Sequence, residues 1–179
     1  FADGDWRNDY RYPLLIENAT HQFDLVRFVT GRDADDVLCN ALPSVRTPHW
    51  AYPTVSAQFS MQRGFHFRFS GSWAYSELQT PWEGVWRFYG SSGAILWSRD
   101  SIEVHHGDTK RTIAVPSKPS DHTIAAAFAE FDRAVTDGRA PEPGVEDNLQ
   151  TVAMVYGAIK SHELHAPVSI REMVAEPTE

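Results

Sequence analysis

TVSAQFSMQRGFHFRFSGSWAY, residues 54–75, decides the fold. Val55, Ala57, Phe59 and Met61 alternate with Ser56, Gln58, Ser60 and Gln62. After Arg63-Gly64, Phe65, Phe67, Phe69, Trp73 and Tyr75 alternate with His66, Arg68, Ser70 and Ser72. A period of two sends successive side chains to opposite faces, so this is a long β-hairpin with one apolar and one polar face. The polar face (Gln58, Gln62, His66, Arg68, Ser70, Ser72) is nearly free of Lys and Glu. An open sheet is ordinarily protected by charge, so a covering partner is favoured over bare solvent there.

The same reading extends outward. Short strands are predicted at 84–89 (GVWRFY), 93–98 (GAILWS), 101–106 (SIEVHH) and 110–115 (KRTIAV), with another at 35–42 (DDVLCNAL) before the hairpin. Consecutive strands joined by tight turns make an antiparallel sheet. Helical spacing marks residues 13–31, where Leu15, Phe23 and Val26 recur and Gly31 is a natural stop. It returns from Asp121, with Ile124, Phe128, Phe131 and Val135 on one stripe ended by Asp137-Gly138. A last helix starts near Val145, with Leu149, Val152, Tyr156 and Ile159 expected on its inner side and a final strand at 165–170. The class is α+β: an open, mostly antiparallel sheet with helices packed on one face, in a single domain over 1–179.

The 179 residues are 42% hydrophobic and 22% charged, the balance of a globular domain. The net charge of −8 excludes a basic groove for nucleic acid, and no apolar run reaches membrane length. Charge is uneven. Residues 1–116 carry 11 basic and 13 acidic side chains and residues 117–179 carry 5 and 11, while all six Trp lie between Trp6 and Trp97. Cys39, in VLCNAL, reads as a small buried hydrophobe. The chain opens on Phe1 without Met, and the expectation is a piece of a larger, cytoplasmic protein.

Chemistry concentrates before and within the first helix. Glu17 and His21 are helical neighbours at i,i+4, and His21 and Asp24 at i,i+3. A carboxylate that orients an imidazole suits a general acid or base; a plain surface ion pair fits the same spacing. Trp6, Arg7, Tyr10, Arg11 and Tyr12 crowd just ahead. Rings that stack on a pyranose beside hydroxyl-binding polar groups would explain them, as would the edge of a core. A metal site is not indicated: no H-x-x-x-H or C-x-x-C occurs, and His105 and His106 point to opposite faces of a strand. Gly90-Ser91-Ser92-Gly93 is a hairpin turn rather than a dinucleotide loop, and no G-x-S-x-G elbow occurs.

DWRNDYRYPLLIENATHQFDLVRFVTG (5–31) resembles the start of the C-terminal domain of the glucose–fructose oxidoreductase/inositol dehydrogenase/rhizopine-catabolism (Gfo/Idh/MocA) family. That family carries W-R, a glycine-rich step, then D-x-G-x-H-x-x-D-L and a closing glycine. GRAPEPGVEDNLQTVAMVYGAIKSHELHAPVSI (138–170) is similar to its ending, with Asp137-Gly138-Arg139-Ala140-Pro141, Asp147 opening the last helix, Ser161 near its end and Pro167-Val168-Ser169-Ile170. Together the matches span nearly the whole chain.

The resemblance implies a dihydrodipicolinate-reductase-like C-terminal domain whose N-terminal Rossmann partner has no counterpart here. The complete protein would be an NAD(P)-dependent oxidoreductase acting on a sugar, polyol or related hydroxylated compound, with NAD or NADP held mainly by the other domain. This chain alone would bind no cofactor and be inactive. His21 takes the acid/base role and Glu17 stands where an Asp is usual. Trp6, Arg7, Tyr10 and Asn18 become substrate contacts, and Asp24 a structural residue. Tyr12-Pro13-Leu14-Leu15 replaces the glycine step, giving the pocket a different wall. The open sheet is expected to join copies into a dimer or tetramer. A non-catalytic binding or scaffolding module using the same sheet and aromatic cluster is the alternative.

Overall fold

A computed structural model describes residues 5–45, 51–75, 77–99, 101–114 and 124–174. Two compact units contain them, one drawn from Phe1–Glu77 and Pro143–Glu179, the other from Leu78–Glu142.

In the first unit a short 3₁₀ turn at Trp6–Asp9 precedes a helix that begins as a π-helix over Leu14–Ala19 and continues as α1, Thr20–Thr30. The stop at Gly31 falls as expected: at φ 61° the residue is left-handed, and its N–H donates to the Arg27 carbonyl at 2.7 Å. Three strands follow, β1 (Ala34–Leu42), β2 (Thr54–Met61) and β3 (Phe65–Ser72). The hairpin reverses at Arg63 and Gly64, both with positive φ, and pairs Phe59 with Phe67. Those rings stack at 5.7 Å, and Phe23 of α1 meets Phe59 edge-on at 4.8 Å. Val55, Ala57, Phe59 and Met61 are buried, while Ser56, Gln58, His66, Arg68, Ser70 and Ser72 are exposed on the other face. Cys39 is buried on the helix side of β1, as its apolar context indicated, and burial pushes its thiol up to about 12.

The second unit is a meander of β4 (Val85–Gly90), β5 (Gly93–Ser98), β6 (Ser101–His106) and β7 (Thr109–Ala114), then helix α2 (Ile124–Asp137). Trp86 pairs with Trp97 across β4 and β5 and also stacks on Phe88. The stripe of Ile124, Phe128, Phe131 and Val135 forms on α2 as the spacing indicated, yet all four are more than half exposed, and Ala134 is the buried residue of that helix.

The chain returns to the first unit with α3 (Val145–Leu164), β8 (Val168–Ser169) and α4 (Ile170–Val174). The strand expected over 165–170 is thus two residues long and runs straight into a helix. Strand order is β3-β2-β1-β8 in one antiparallel sheet and β4-β5-β6-β7 in the other. The antiparallel α+β class holds, with the strands shared between two sheets. Each of β4 to β7 pairs with its sequence neighbour, so the meander forms its own ladder. Residues 115 and 121–123, the end of one expected strand and the start of one expected helix, lie outside the described residues.

One expectation reverses. α3 does not turn Leu149, Val152 and Tyr156 inward; these are exposed, and Ile159 is half-buried. Its buried face is Thr151, Met154, Val155, Ala158, Ser161 and His162, which lies on β1 and α1. Small residues let the helix approach closely: a Cβ on Gly157 would meet Ile170 Cδ1 at 2.3 Å. The polar ones are met by partners. Cys39 N–H donates to Ser161 Oγ at 2.9 Å, and the Ser161 hydroxyl donates to the Ala166 carbonyl at 2.7 Å. No helix among the described residues is long and apolar enough to cross a membrane.

Candidate functional site

Asp5 builds the entrance. Its carboxylate caps the 3₁₀ turn by accepting the Arg7 N–H at 2.9 Å and faces the Arg7 guanidinium at 3.3 Å. That backbone donation, followed by the Arg7 side chain, holds the Asp5 carboxyl below its ordinary value despite some burial. Arg7 then reaches ten residues along the chain and donates from Nε to Glu17 Oε2 at 2.5 Å. Its guanidinium lies 4.6 Å from the Trp6 ring centroid, and Trp6 meets Tyr10 edge-on at 5.6 Å. Trp6 and Tyr10 stay open to solvent at 52% and 39% exposure, so a ligand can reach both rings. Four predicted site residues, Trp6, Arg7, Tyr10 and Glu17, therefore come together.

Glu17 and Asn18 sit in the π-helical stretch and His21 is the second residue of α1. A π turn closes i→i+5 bonds, so it advances fewer degrees per residue than an α-helix. Four steps from Glu17 thus come closer to one revolution, keeping His21 on the same side. His21 is exposed, while Glu17 and Asn18 are half-buried.

Asp24 points elsewhere. The Thr151 hydroxyl donates to Asp24 Oδ1 at 3.0 Å, and Arg27 lies 3.7 Å from the same oxygen. Arg27, 7% exposed, also donates to Asp33 at 2.8 Å, to Asp147 at 2.7 Å and to Thr151 at 2.9 Å. Burial opposes its charge, but the Asp147 and Asp33 bonds outweigh it and raise its pKa. This knot fastens α1 to α3 and leaves the outer side of the helix to the site.

Arg11 and Tyr12, crowded with Trp6 in sequence, belong to a second cluster. Tyr12 is buried, stacks on Tyr52 at 5.3 Å and donates to Glu163 at 3.2 Å. Burial, then Glu163, pushes its phenol up to about 12. Tyr52 and His162 carried no sequence signal for this placement beyond the phase His162 shares with Thr151, Val155 and Ala158 on α3.

Among the described residues no three of His, Cys, Asp and Glu gather to hold a metal. α1 and α3 do not follow a strand, and α4 follows β8 without a glycine, so these helices offer no dinucleotide cradle.

No family model matches the chain. An uncharacterized protein of Sinorhizobium fredii (strain NBRC 101917 / NGR234), y4oX, is 24% identical over 188 residues, covering 96% of this chain and 51% of its own length. An oxidoreductase from Agrobacterium radiobacter, solved in complex with NAD+, L-tartaric acid and magnesium, superposes with a TM-score of 0.79 at 19% identity, covering 92% of this chain and 51% of that one. Levoglucosan dehydrogenase, in complex with NADH and L-sorbose, gives 0.72 at 15% identity over 87% of this chain and 49% of its own. Aldose-aldose oxidoreductase from Caulobacter crescentus, complexed with glycerol, gives 0.71 at 13% identity over 87% of this chain and 47% of its own. These structures are Gfo/Idh/MocA-type oxidoreductases, and the chain has the fold of their C-terminal domain. It spans about half the length of the proteins it matches.

Proposed function

We propose that this chain is the substrate-binding and oligomerisation domain of an NAD(P)-dependent oxidoreductase of the cytoplasm that acts on a sugar, polyol or related hydroxylated compound. The observation that carries the reading is the Trp6–Arg7–Glu17 assembly, with two open aromatic rings ahead of an exposed His21 on one helix. The fold shared with such oxidoreductases supports it.

In this reading the ring faces of Trp6 and Tyr10 take the apolar side of the substrate, and Asn18 and the edges of Arg7 bond its hydroxyls. Arg7 is already engaged by Asp5 and Glu17, so it brings hydrogen-bond edges rather than a free positive charge, which favours an uncharged ligand. His21 exchanges a proton with the reacting hydroxyl through an imidazole nitrogen, and Glu17 orients the ring from the preceding turn. NAD or NADP, bound mainly by the rest of the complete protein, supplies the hydride chemistry. The outer face of the first sheet, with Leu38 and Leu42 half exposed beside Ser56, Gln58, His66 and Arg68, is the surface through which copies associate.

The test is His21→Asn in the complete enzyme. Turnover should fall on the order of 10²–10⁴-fold, the usual share of a general acid or base, with thermal stability unchanged. Near-normal turnover on a good substrate refutes the assignment.

A further inference from the structure

β1 is longer than its neighbour β8, and the difference is filled by side chains. β8 covers β1 only at Asp36 and Val37. Beyond it the β1 edge still presents the N–H groups of Cys39 and Ala41, which a buried strand must satisfy. Ser161 takes the first and His162 the second, with Ala41 N–H donating to Nδ1 of His162 at 3.2 Å. That bond requires a neutral imidazole, because a protonated ring offers two donors and no acceptor.

His162 is 8% exposed and enclosed by rings. Tyr52 lies 4.9 Å away, Tyr12 5.8 Å and His165 5.8 Å, all edge-on. Arg11 lies over both Tyr12 and Tyr52, at 5.6 and 5.3 Å, and its carbonyl accepts the Tyr52 N–H at 2.7 Å. The titratable and charged groups facing His162 are thus Arg11, His165 and Glu163, with the phenols of Tyr12 and Tyr52. Glu163, the one acid, is exposed and already shared by Tyr12 and Arg11. A second cation in this enclosure has no free partner among these groups.

We propose that His162 is an acid-sensitive strap. Neutral, it holds β1 to the end of α3 and seats the Arg11–Tyr12 segment; protonated, it turns a donor toward the Ala41 N–H, confronts Arg11 and releases that segment. Burial, then His165 and Arg11, holds the imidazole below its ordinary value of 6.5, against the pull of Glu163. The unfolded chain therefore binds this proton first, and stability falls as pH drops below about 6.5, the ordinary imidazole value. Tyr12 leads through Pro13 straight into the helix that carries Glu17 and Asn18. Release would therefore move the substrate end. The strap rests on the geometry around His162 and not on the catalytic reading of His21.

Amide exchange in the 179-residue chain, followed by NMR at Ala41 and Tyr52 from about pH 8 to about pH 5, tests the strap. After correction for intrinsic rates, protection at both amides should fall about tenfold or more below pH 6.5. His162→Asn, whose Oδ1 can stand in for Nδ1 and does not titrate, should keep protection flat with pH. His165→Asn should keep the wild-type transition. Constant protection in the wild type overturns the proposal, as does a His162→Asn variant that loses protection in parallel with it. If His162→Asn does not fold, the wild-type ring proton resonances decide: Ala41 must shift in step with the His162 titration, and independent titration refutes the strap.

Discussion

Arg27→Met tests the knot that fastens the site helix to α3. Methionine keeps most of the aliphatic stem and removes the guanidinium, so packing is nearly conserved while the charge network is lost. Direct bonds to three residues disappear, to Asp33 at 2.8 Å, Asp147 at 2.7 and 3.4 Å, and Thr151 at 2.9 Å. Breaking a buried ion pair by removing one partner costs about 3–5 kcal/mol. Here the carboxylates of Asp24, Asp33 and Asp147 are 46%, 36% and 54% exposed and regain water, which lowers the cost. A loss of about 3 kcal/mol remains, chiefly the buried bond to Thr151 and two charge-assisted bonds. For a chain of 179 residues that lowers Tm by roughly 6–12 °C. Urea unfolding followed by far-UV circular dichroism measures it. Arg27→Lys should recover less than half, because a point charge cannot fork to Asp33 and to two acceptors on α3 at once. A double-mutant cycle with Asp147→Asn should show a coupling of about 1 kcal/mol or more. A loss below about 1 kcal/mol for Arg27→Met, or full stability in Arg27→Lys, refutes the claim that this side chain anchors the helix.

Gly157→Ala places a Cβ 2.3 Å from Ile170 Cδ1 and 3.5 Å from Val37 Cγ1, so α3 must lift or Ile170 must turn. The expected cost is about 1–3 kcal/mol, and it should shrink in the Gly157→Ala/Ile170→Val double variant; equal losses in single and double variants would place the strain elsewhere. Cys39, buried with its thiol pushed up to about 12, should resist alkylation at about pH 8 and react only on unfolding. Labelling of native protein as fast as that of a denatured control would contradict its placement under α3.

The strands were readable because each face of a sheet imposes its own chemistry. The alternation through Val55–Met61 and Phe65–Phe69 survives any choice of partner, and Gly64 and Gly93 mark reversals with positive φ. The partition into two sheets was not readable, since alternation says which face is apolar and not where a ladder stops. α3 misled for a definite reason. Its inward face holds Thr151, Ser161 and His162, whose polarity is cancelled by Arg27, Cys39 N–H and Ala41 N–H, all more than a hundred residues away. Its apolar Leu149, Val152 and Tyr156 were left outside. Arg27 is the complementary case: a charged residue on a helix, ordinarily solvated, that is buried because four groups on other turns and elements close around it.

The site divides along the same line. Arg7 and Glu17 meet because Pro13 and the π turn bring two nearby stretches together, and the crowding of Trp6, Arg7 and Tyr10 was visible in the sequence. Tyr52 and His162 reach Tyr12 from distant parts of the chain, so Tyr12 follows the core-edge reading that the sequence left open. The π stretch reconciles the two demands on the helix. Leu14 and Ala19, the two ends of the π stretch, are both buried; from Ala19 the α spacing continues the core through Phe23 and Val26. A regular α-helix would rotate Leu14 off that line or swing Glu17 toward the core. The wider turn keeps Leu14 inside and Glu17 on the side where Arg7 holds it. The irregular backbone therefore lies at the residues on which the proposed chemistry depends, one turn before His21.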